Sequence, residues 1–224
     1  MTQKKYCPTP STFNNQLNIK TLSDILLRLP SYILHPFWMP TIAIYSFLKI
    51  CFPQLTTLFY AWATIGTFIL TALIPLLISM LYIQNTGDTL EMKERRTRIA
   101  PYFYTTACYV FWCYFLYNGL KMPNFVLAPA IGATIAILLL TLITLKWKLS
   151  AHMTCFGAIT GAALSIYHSL SFQLTLSSPI IYILFITAIY LCCSRIYLKA
   201  HTDEQLAAGF LIGILCTYLP ALMI

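Results

Sequence analysis

Long apolar stretches separated by short polar segments make up most of the chain, and they predict its helices. A helix that crosses a membrane needs about 20 mostly apolar residues. Such stretches lie at roughly 31–51, 56–83, 101–119, 124–146, 151–170, 178–198 and 206–223. Pro36 and Pro40 interrupt the first of them. The pattern predicts an all-α, polytopic transmembrane helix bundle with about six to seven spans.

The first 30 residues follow a different pattern. They begin with a polar segment that is rich in Thr, Asn and Gln and has no apolar core, so we predict no signal peptide. Apolar residues then recur at helical spacing at Ile19, Leu22, Ile25, Leu26 and Leu29. This predicts an N-terminal amphipathic helix on the membrane surface, although a frayed tail explains the first eighteen residues equally well. We therefore predict a polar tail and interfacial helix at 1–30 and one transmembrane domain at 31–224.

Composition supports a membrane protein and argues against a nucleic-acid binder. The chain is 59% hydrophobic and only 9% charged, whereas soluble domains carry about 25% charged residues. The net charge of +8 comes from basic residues at the ends of apolar segments. There they act as topology determinants or as ligands for an anionic lipid headgroup. We predict the lipid bilayer as the environment and no nucleic-acid partner.

The chain offers little for a metal or a disulfide. Seven of the cysteines lie in apolar segments, and neither CxxC nor a Cys/His grouping with zinc-ligand spacing is present. Asp and Glu together number 6, without a cluster that could hold a divalent cation. We predict no metal, no cofactor and no disulfide framework.

Three polar islands interrupt the apolar pattern. They read QNTGDTLEMKERRTRIAPY, KWKLSAH and SRIYLKAHTDEQ. Two predicted spans separate each island from the next, so all three emerge on the same side of the membrane. The connections on the other side are short and nearly uncharged. This asymmetry predicts a shared site on the island side.

The islands carry the side chains that handle a phosphoryl group. Arg and Lys neutralise phosphate oxygens, and His can attack phosphorus or protonate a leaving oxygen. Ser150 and Thr202 could cap helices whose N-terminal N–H groups also bind anions. The candidate residues are Lys93, Arg95, Arg96, Arg98, Lys146, Lys148, Ser150, His152, Arg195, Lys199 and His201.

The islands resemble the type 2 phosphatidic acid phosphatase superfamily of membrane lipid phosphatases, whose signatures are K-x6-R-P, P-S-G-H and S-R-x5-H-x3-D. The third corresponds to Ser194, Arg195 and His201, and the second to Leu149-Ser150-Ala151-His152. The first corresponds to Lys93 and Pro101. The resemblance covers residues 84 to 223, with the motifs in family order. The pattern K-x-R-x-x-R-x-x-P-Y is similar to that of a small bacterial branch.

The resemblance implies a role for each matched residue. His201 would be the nucleophile that forms a phosphohistidine, and His152 would protonate the leaving alkoxide. Arg195 would act with them in catalysis. The substrate phosphate would be held by Lys93, Arg98, Ser150 and Ser194. The implied domain at 31–224 is phosphatase-like, and the implied location is the bacterial inner membrane, as a multi-pass protein.

Two positions depart from the family pattern. Ala100 stands where the first motif has Arg, and Arg98 lies two residues earlier. Gln205 stands where the family has the Asp that orients the nucleophilic histidine. A glutamine can accept a hydrogen bond from imidazole but supplies no negative charge. The corresponding Asp→Asn change in a serine-protease triad costs roughly 10⁴ in kcat.

Several of these residues also have structural explanations. Thr202 to Gln205 is a capping box that would start the last helix whatever the function. Arg95, Arg96 and Arg98 serve equally as membrane-edge anchors, and the lysines as interfacial residues. Ser194 could be a small residue at a helix contact. We interpret His35 and His168, which lie outside the islands, as structural.

The expected function is a metal-independent membrane phosphatase acting on a lipid phosphate or lipid pyrophosphate. Two alternatives stay open, a lipid phosphotransferase and a non-catalytic headgroup-binding or transport protein that retains the fold. The positive-inside rule places the islands in the cytoplasm, whereas many members of the superfamily act on the outer face. The site's own basic residues bias the rule, so both orientations stay open.

Overall fold

The computed structural model describes residues 22, 24–86, 94–169 and 178–221, and within these ranges the regular structure is helical. Eight helices follow one another in the described part of the chain. They are α1, 24–33; α2, Met39–Cys51; α3, formed by Thr57–Phe68, a π-helical turn at Ile69–Leu73 and Ile74–Thr86; α4, formed by a 3₁₀ turn at Arg96–Arg98, Ile99–Tyr114 and a π-helical turn at Phe115–Gly119; α5, Asn124–Thr144; α6, Ala151–Ser169; α7, Ser178–Tyr197; and α8, Asp203–Ala221.

The predicted helical stretches from residue 56 onward are confirmed to within a few residues. Local signals set several of the boundaries. The Thr56 hydroxyl accepts a hydrogen bond from the Phe59 N–H at 3.3 Å and caps α3. Pro123 precedes the first residue of α5 in an extended conformation. Among the residues that the structure describes, three helices are long and apolar enough to cross a membrane, at Thr57–Asn85, Asn124–Thr144 and Pro179–Tyr197.

The prediction of one helix over 31–51 is wrong. The chain leaves helical geometry at residues 34–38, and α2 has only 13 residues. The reason lies in Pro36, because its ring disfavours a helical conformation for the preceding residue, His35, and lacks an N–H. Helix α1 also runs across residue 30, the predicted boundary between the interfacial helix and the transmembrane domain.

Helices α6 and α8 pack backbone to backbone through glycines at 157, 161, 209 and 213, a G-x-x-x-G spacing on each helix. A methyl group at Gly157 would lie 2.2 Å from the Phe210 carbonyl oxygen, and one at Gly213 would lie 2.2 Å from the Thr154 carbonyl oxygen. Small residues permit this approach between membrane helices. The close contact brings together the start of α6 and the start of α8, which carry two predicted site residues.

Helix α1 lies against α7. The Tyr190 hydroxyl donates to the Leu26 carbonyl oxygen at 2.6 Å, and the Tyr197 hydroxyl donates to the Asp24 carboxylate. The side chains of Leu22, Ile25 and Leu26 are exposed, as expected for the apolar face of a helix at a membrane surface. The polar tail of the sequence prediction lies outside the described residues.

Candidate functional site

A cavity of about 1120 Å³ lies inside the helix bundle, and its polar end is where the three islands meet. Arg98 comes from the first island, Lys148 and His152 from the second, and Arg195 and His201 from the third. The structure therefore brings together side chains from three connections that are far apart in sequence. Within the described part of the chain, the cavity wall carries no carboxylate, so its polar end has a strong positive potential.

The end of α7 places His201 next to the site. The Lys199 N–H donates to the Ile196 carbonyl at 2.8 Å, and the Ala200 N–H donates to the Arg195 carbonyl at 3.2 Å. Lys199 has φ of 49°, so this is a Schellman turn with a left-handed residue after the helix. On a continuous helix, Arg195 and His201 would point in different directions. The turn lets both residues line the same cavity.

Gln205 fixes the tautomer of His201. Its side-chain oxygen Oε1 lies 3.1 Å from His201 Nδ1 and accepts the backbone N–H of Thr202 at 3.3 Å. Because the Thr202 N–H can only donate, the amide atom that it meets must be the oxygen. His201 Nδ1 is then the donor to the same oxygen. In the neutral imidazole, this leaves Nε2 with a lone pair and no proton.

Burial and positive charge keep His201 neutral. Burial lowers the pKa of His201 most, and the cations Arg98, Arg195 and Lys148 lower it further, while the Gln205 hydrogen bond opposes them; together they bring the pKa to about 3. Burial likewise lowers the pKa of Lys148, with contributions from Arg98 and Arg195. Each cation thus lowers the affinity of its neighbours for protons. An anion bound among them would relieve the repulsion.

His152 lies in the first turn of α6, which Ser150 caps. The Ser150 hydroxyl accepts from the Met153 N–H at 3.4 Å. His152 Nε2 lies 3.1 Å from the carbonyl oxygen of Ser31 in α1. A carbonyl only accepts, so Nε2 carries a proton. His152 therefore directs its Nε2–H at the last turn of α1, while the residue lines the cavity.

Ser150 and Ser194 lie behind the cavity wall. Both residues are fully buried. The Ser150 hydroxyl caps α6, and the Ser194 hydroxyl lies 2.7 Å from the hydroxyl of Ser31. Ser194 therefore connects α7 to α1 in this structure. Binding of the substrate phosphate by these two hydroxyls stays a prediction.

The first island is described only in part. Lys93 lies outside the described residues, so its predicted role stays a prediction. Arg98 is buried and lines the cavity, although it stands two residues from the position that the family motif gives to arginine. Arg95 instead donates from Nη1 to the Leu145 carbonyl oxygen at 2.7 Å, just beyond the end of α5. That contact is helix capping of the kind basic residues provide at C-termini.

His35 also belongs to the site, and the sequence interpretation missed it. Its ring centroid lies 5.2 Å from that of His152 in an edge-on arrangement, and it lines the same cavity. Its Nδ1 accepts the Phe37 N–H at 3.4 Å, so a neutral His35 carries its proton on Nε2. The available signal was the pair of prolines at 36 and 40, which breaks the helix at this histidine.

Together these residues form a pocket that suits a phosphate ester. A neutral imidazole with a free lone pair, a second imidazole with an N–H, and three cations all line one end of the cavity. Such a set can bind an anion, attack its phosphorus and protonate a leaving oxygen. Comparisons of the chain with protein-family models, curated proteins and solved structures give no match.

Proposed function

We propose that this chain is a metal-independent membrane phosphatase that hydrolyses a lipid phosphate or lipid pyrophosphate through a phosphohistidine intermediate, as the resemblance to the type 2 phosphatidic acid phosphatase superfamily implies. One observation carries the proposal. The imidazoles of His201 and His152 and the cations Arg98, Lys148 and Arg195 line the same end of one cavity. A helix bundle has no structural need to gather so many cations there, because like charges that lie close together repel one another.

The first step is attack by His201. The lone pair of Nε2 forms a bond to phosphorus while the bond from phosphorus to the leaving oxygen breaks. Nδ1 keeps its proton and its hydrogen bond to Gln205 as the ring becomes positively charged. Arg98, Lys148 and Arg195 stabilise the negative charge on the phosphoryl oxygens as it redistributes.

His152 handles the proton in both steps. In the first, His152 acts as an imidazolium that the bound phosphate anion stabilises, and its Nε2–H passes to the leaving oxygen, which takes the place of the Ser31 carbonyl as acceptor, so that a neutral imidazole remains. In the second, His152 removes a proton from water, and the water oxygen attacks phosphorus as the bond to His201 breaks. Inorganic phosphate leaves, and both histidines return to their starting states.

We place six spans in the membrane, α3 to α8. Three of these helices meet the length and apolarity expected of a span. Helix α4 continues through its π-helical turn from Ile99 to Gly119, and its 21 positions reach about 31 Å at 1.5 Å per residue, close to the roughly 30 Å hydrocarbon core. Helix α2, with 13 residues, reaches only about 20 Å. It packs inside the bundle, with Met39 in one cluster with Met153 and Phe47 against Phe125, so we assign α2 to the cavity wall and α1 alone to the membrane surface.

Phosphate release tests the proposal. Detergent-purified protein would be assayed in EDTA against phosphatidic acid, phosphatidylglycerol phosphate and a polyprenyl pyrophosphate. The His201→Ala variant would be assayed beside His168→Ala, a histidine that lies outside the three islands. We expect release that His201→Ala abolishes and His168→Ala retains. Quenching in alkali, which preserves phosphohistidine, should reveal a phosphorylated peptide containing His201.

Gln205 supports a second candidate, a headgroup-binding protein without catalysis. The amide orients His201 but supplies no negative charge to stabilise the imidazolium formed during attack. Lipid phosphate binding without release of phosphate and without a phosphorylated peptide would favour this candidate over the phosphatase.

A further inference from the structure

The cavity does not end at the cations. It continues between α2, α4, α5 and α6 to the opposite end of the bundle, where Trp112, Val126 and Ile166 form its wall. Trp112 lies fourteen residues along α4 from Arg98, and Ile166 lies fourteen residues along α6 from His152. Each separation corresponds to about 21 Å along a helix axis. The cavity is therefore longer than half of the roughly 30 Å hydrocarbon core.

The wall of this deeper part is mainly apolar, and several of the hydroxyl groups on it are already hydrogen-bonded within the protein. Five of the hydroxyls on the wall each donate to a carbonyl four residues earlier in the chain, at distances of 2.7 to 3.0 Å. The residues concerned are Thr71, Ser79, Thr105, Thr154 and Thr217. Their donors are already satisfied. An apolar cavity of this kind disfavours water and accepts an apolar ligand.

Charge is confined to one end. In the described residues, the charged groups on the wall are Arg28, Arg98, Lys148, Arg195 and Lys199, which lie on the island side. Beyond them, the wall is formed by side chains such as Ile42 and Phe47 of α2, Ala133 of α5 and Ala162 of α6. The cavity thus has the polarity of an amphiphile, with an anion-binding end and a long apolar end.

We propose that the apolar part of the cavity binds one long aliphatic chain of the substrate, so that the chain lies inside the helix bundle while its phosphate is held by Arg98, Lys148 and Arg195. The inference rests on the proposed function only where it places the phosphate among the cations; the site for the aliphatic chain does not depend on catalysis. The match in polarity and length between cavity and amphiphile identifies the occupant. Both acyl and isoprenoid chains fit this description, since both present the same aliphatic surface.

Filling the apolar part tests this inference. Ala162→Phe and Ala133→Phe place a ring in the cavity far from the cations, and Ala107→Phe is the matched control on an exposed face of α4. With long-chain substrates, we expect both cavity variants to raise KM at least about tenfold, the effect of displacing two methylene groups. Turnover of the short, water-soluble butyl phosphate should stay within about twofold of wild type, which also shows that the variants fold.

The two sources of chain are separated by using two substrate series. Phosphatidic acids with acyl chains of increasing length form one series, and isoprenyl monophosphates of increasing length form the other. The series whose KM falls steeply with length in the wild type, and loses that dependence in Ala162→Phe, identifies the chain. Equal KM values at every length in both series would overturn the inference.

Photocrosslinking tests the site without relying on activity. A phosphatidic acid with a diazirine at the end of one acyl chain, and an isoprenyl phosphate with the same group, would be bound to wild-type protein. We expect the label on Trp112 or Ile166 when fragmentation of the peptides identifies the labelled residue, with label lost in Ala162→Phe. If this labelling occurs but the protein releases no phosphate, the proposed function is rejected and the proposed binding site for the aliphatic chain stands. Labelling confined to exposed positions such as Val110 and Phe111 would reject the chain site.

Discussion

The side-chain oxygen of Gln205 lies 3.1 Å from Nδ1 of His201 and accepts a second hydrogen bond from the Thr202 N–H at 3.3 Å. One atom therefore starts α8 and sets the tautomer of the histidine that precedes it. A carboxylate at this position could accept both bonds as well. The carboxylate differs from the amide by its negative charge, and aspartate is also one methylene shorter than glutamine. Substitutions at this position can therefore compare orientation of His201 with electrostatic stabilisation of its charged form.

Replacing Gln205 with aspartate should increase activity. The variant adds a negative charge beside Nδ1, which raises the pKa of His201 and stabilises the imidazolium formed during attack. We expect kcat to rise at least about tenfold. This is smaller than the roughly 10⁴-fold loss of kcat that the opposite change, from aspartate to an amide, causes in a serine protease. Phosphate release under saturating lipid phosphate measures it.

The matched control is Gln205→Leu, which has similar volume but accepts neither hydrogen bond. It should lower kcat, because His201 loses its tautomer preference, and it should also destabilise the start of α8 by about 1 kcal/mol. Equal activity of the Asp, Leu and wild-type proteins would show that the residue does not act on the nucleophile.

The free protein should hold His201 neutral well below the usual range of histidine. Burial and the cations Arg98, Arg195 and Lys148 lower its pKa from 6.5 to about 3. Near pH 6.5 this histidine binds a proton in the unfolded chain but stays neutral in the folded protein. The difference lowers the free energy of unfolding as the pH falls from about 6.5 toward 3, and it has no effect above that range. Histidine NMR in detergent should show no titration of His201 between pH 5 and 8.

Inorganic phosphate should reverse this effect, because a bound anion offsets the repulsion from the three cations. We expect the pKa of His201 to rise in its presence, with proton uptake on binding at acidic pH. The His201→Ala variant identifies the resonance. A midpoint near 6.5 without phosphate would contradict the charge arrangement described for the site.

His35 should affect the proton-transfer step through His152. Its ring lies edge-on to that of His152, with centroids 5.2 Å apart. We expect His35→Ala to lower kcat about tenfold, less than the 10² to 10⁴ typical of a direct general acid, and to shift the pH profile of kcat. His35→Phe retains the ring and removes the nitrogens. If His35→Phe keeps the wild-type pH profile, the residue contributes packing only.

The contact between α6 and α8 should not tolerate a methyl group. Gly213→Ala would place its Cβ 2.2 Å from the Thr154 backbone oxygen, and overpacking of this kind costs about 1–3 kcal/mol. Thermal unfolding in detergent measures the loss. Gly66→Ala is the control, because its Cβ would meet only the ring of Phe115, at 2.4 Å, and a side chain can rotate away. Equal effects of the two substitutions would contradict the backbone contact.

The hydrogen bond between Ser31 and Ser194 should hold α1 against α7. The two hydroxyls are buried and lie 2.7 Å apart. Ser31→Ala leaves the Ser194 hydroxyl buried without this partner, at a cost of about 1–3 kcal/mol. The double variant should be less destabilised than the sum of the two single variants, with a coupling of about 1 kcal/mol. Additive losses of stability in this double-mutant cycle would show that the bond contributes nothing.

Features that depend on neighbours in sequence were predictable. The apolar stretches predicted the helices from α3 to α8 because backbone hydrogen bonding and burial act within a few turns. The capping positions of Ser150 and Gln205 were also predictable, since a cap joins residues three apart. The alternation of two spans between islands placed Arg98, His152 and His201 on one side, and the structure brings them to one cavity.

Features that depend on packing between distant helices were decided only by the tertiary structure. His35 and His152 meet because α1 and α2 separate at Pro36 and pack against α6. The prolines signal the break, but no motif in the sequence signals the packing. Ser194 binds Ser31, which is 163 residues away in sequence, and this contact gives Ser194 a structural partner that its motif does not indicate. The sequence alone determined which residues could form helices and supply charge. The packing of the helices decided which of those residues meet, because contacts between helices depend on shape complementarity over the whole bundle.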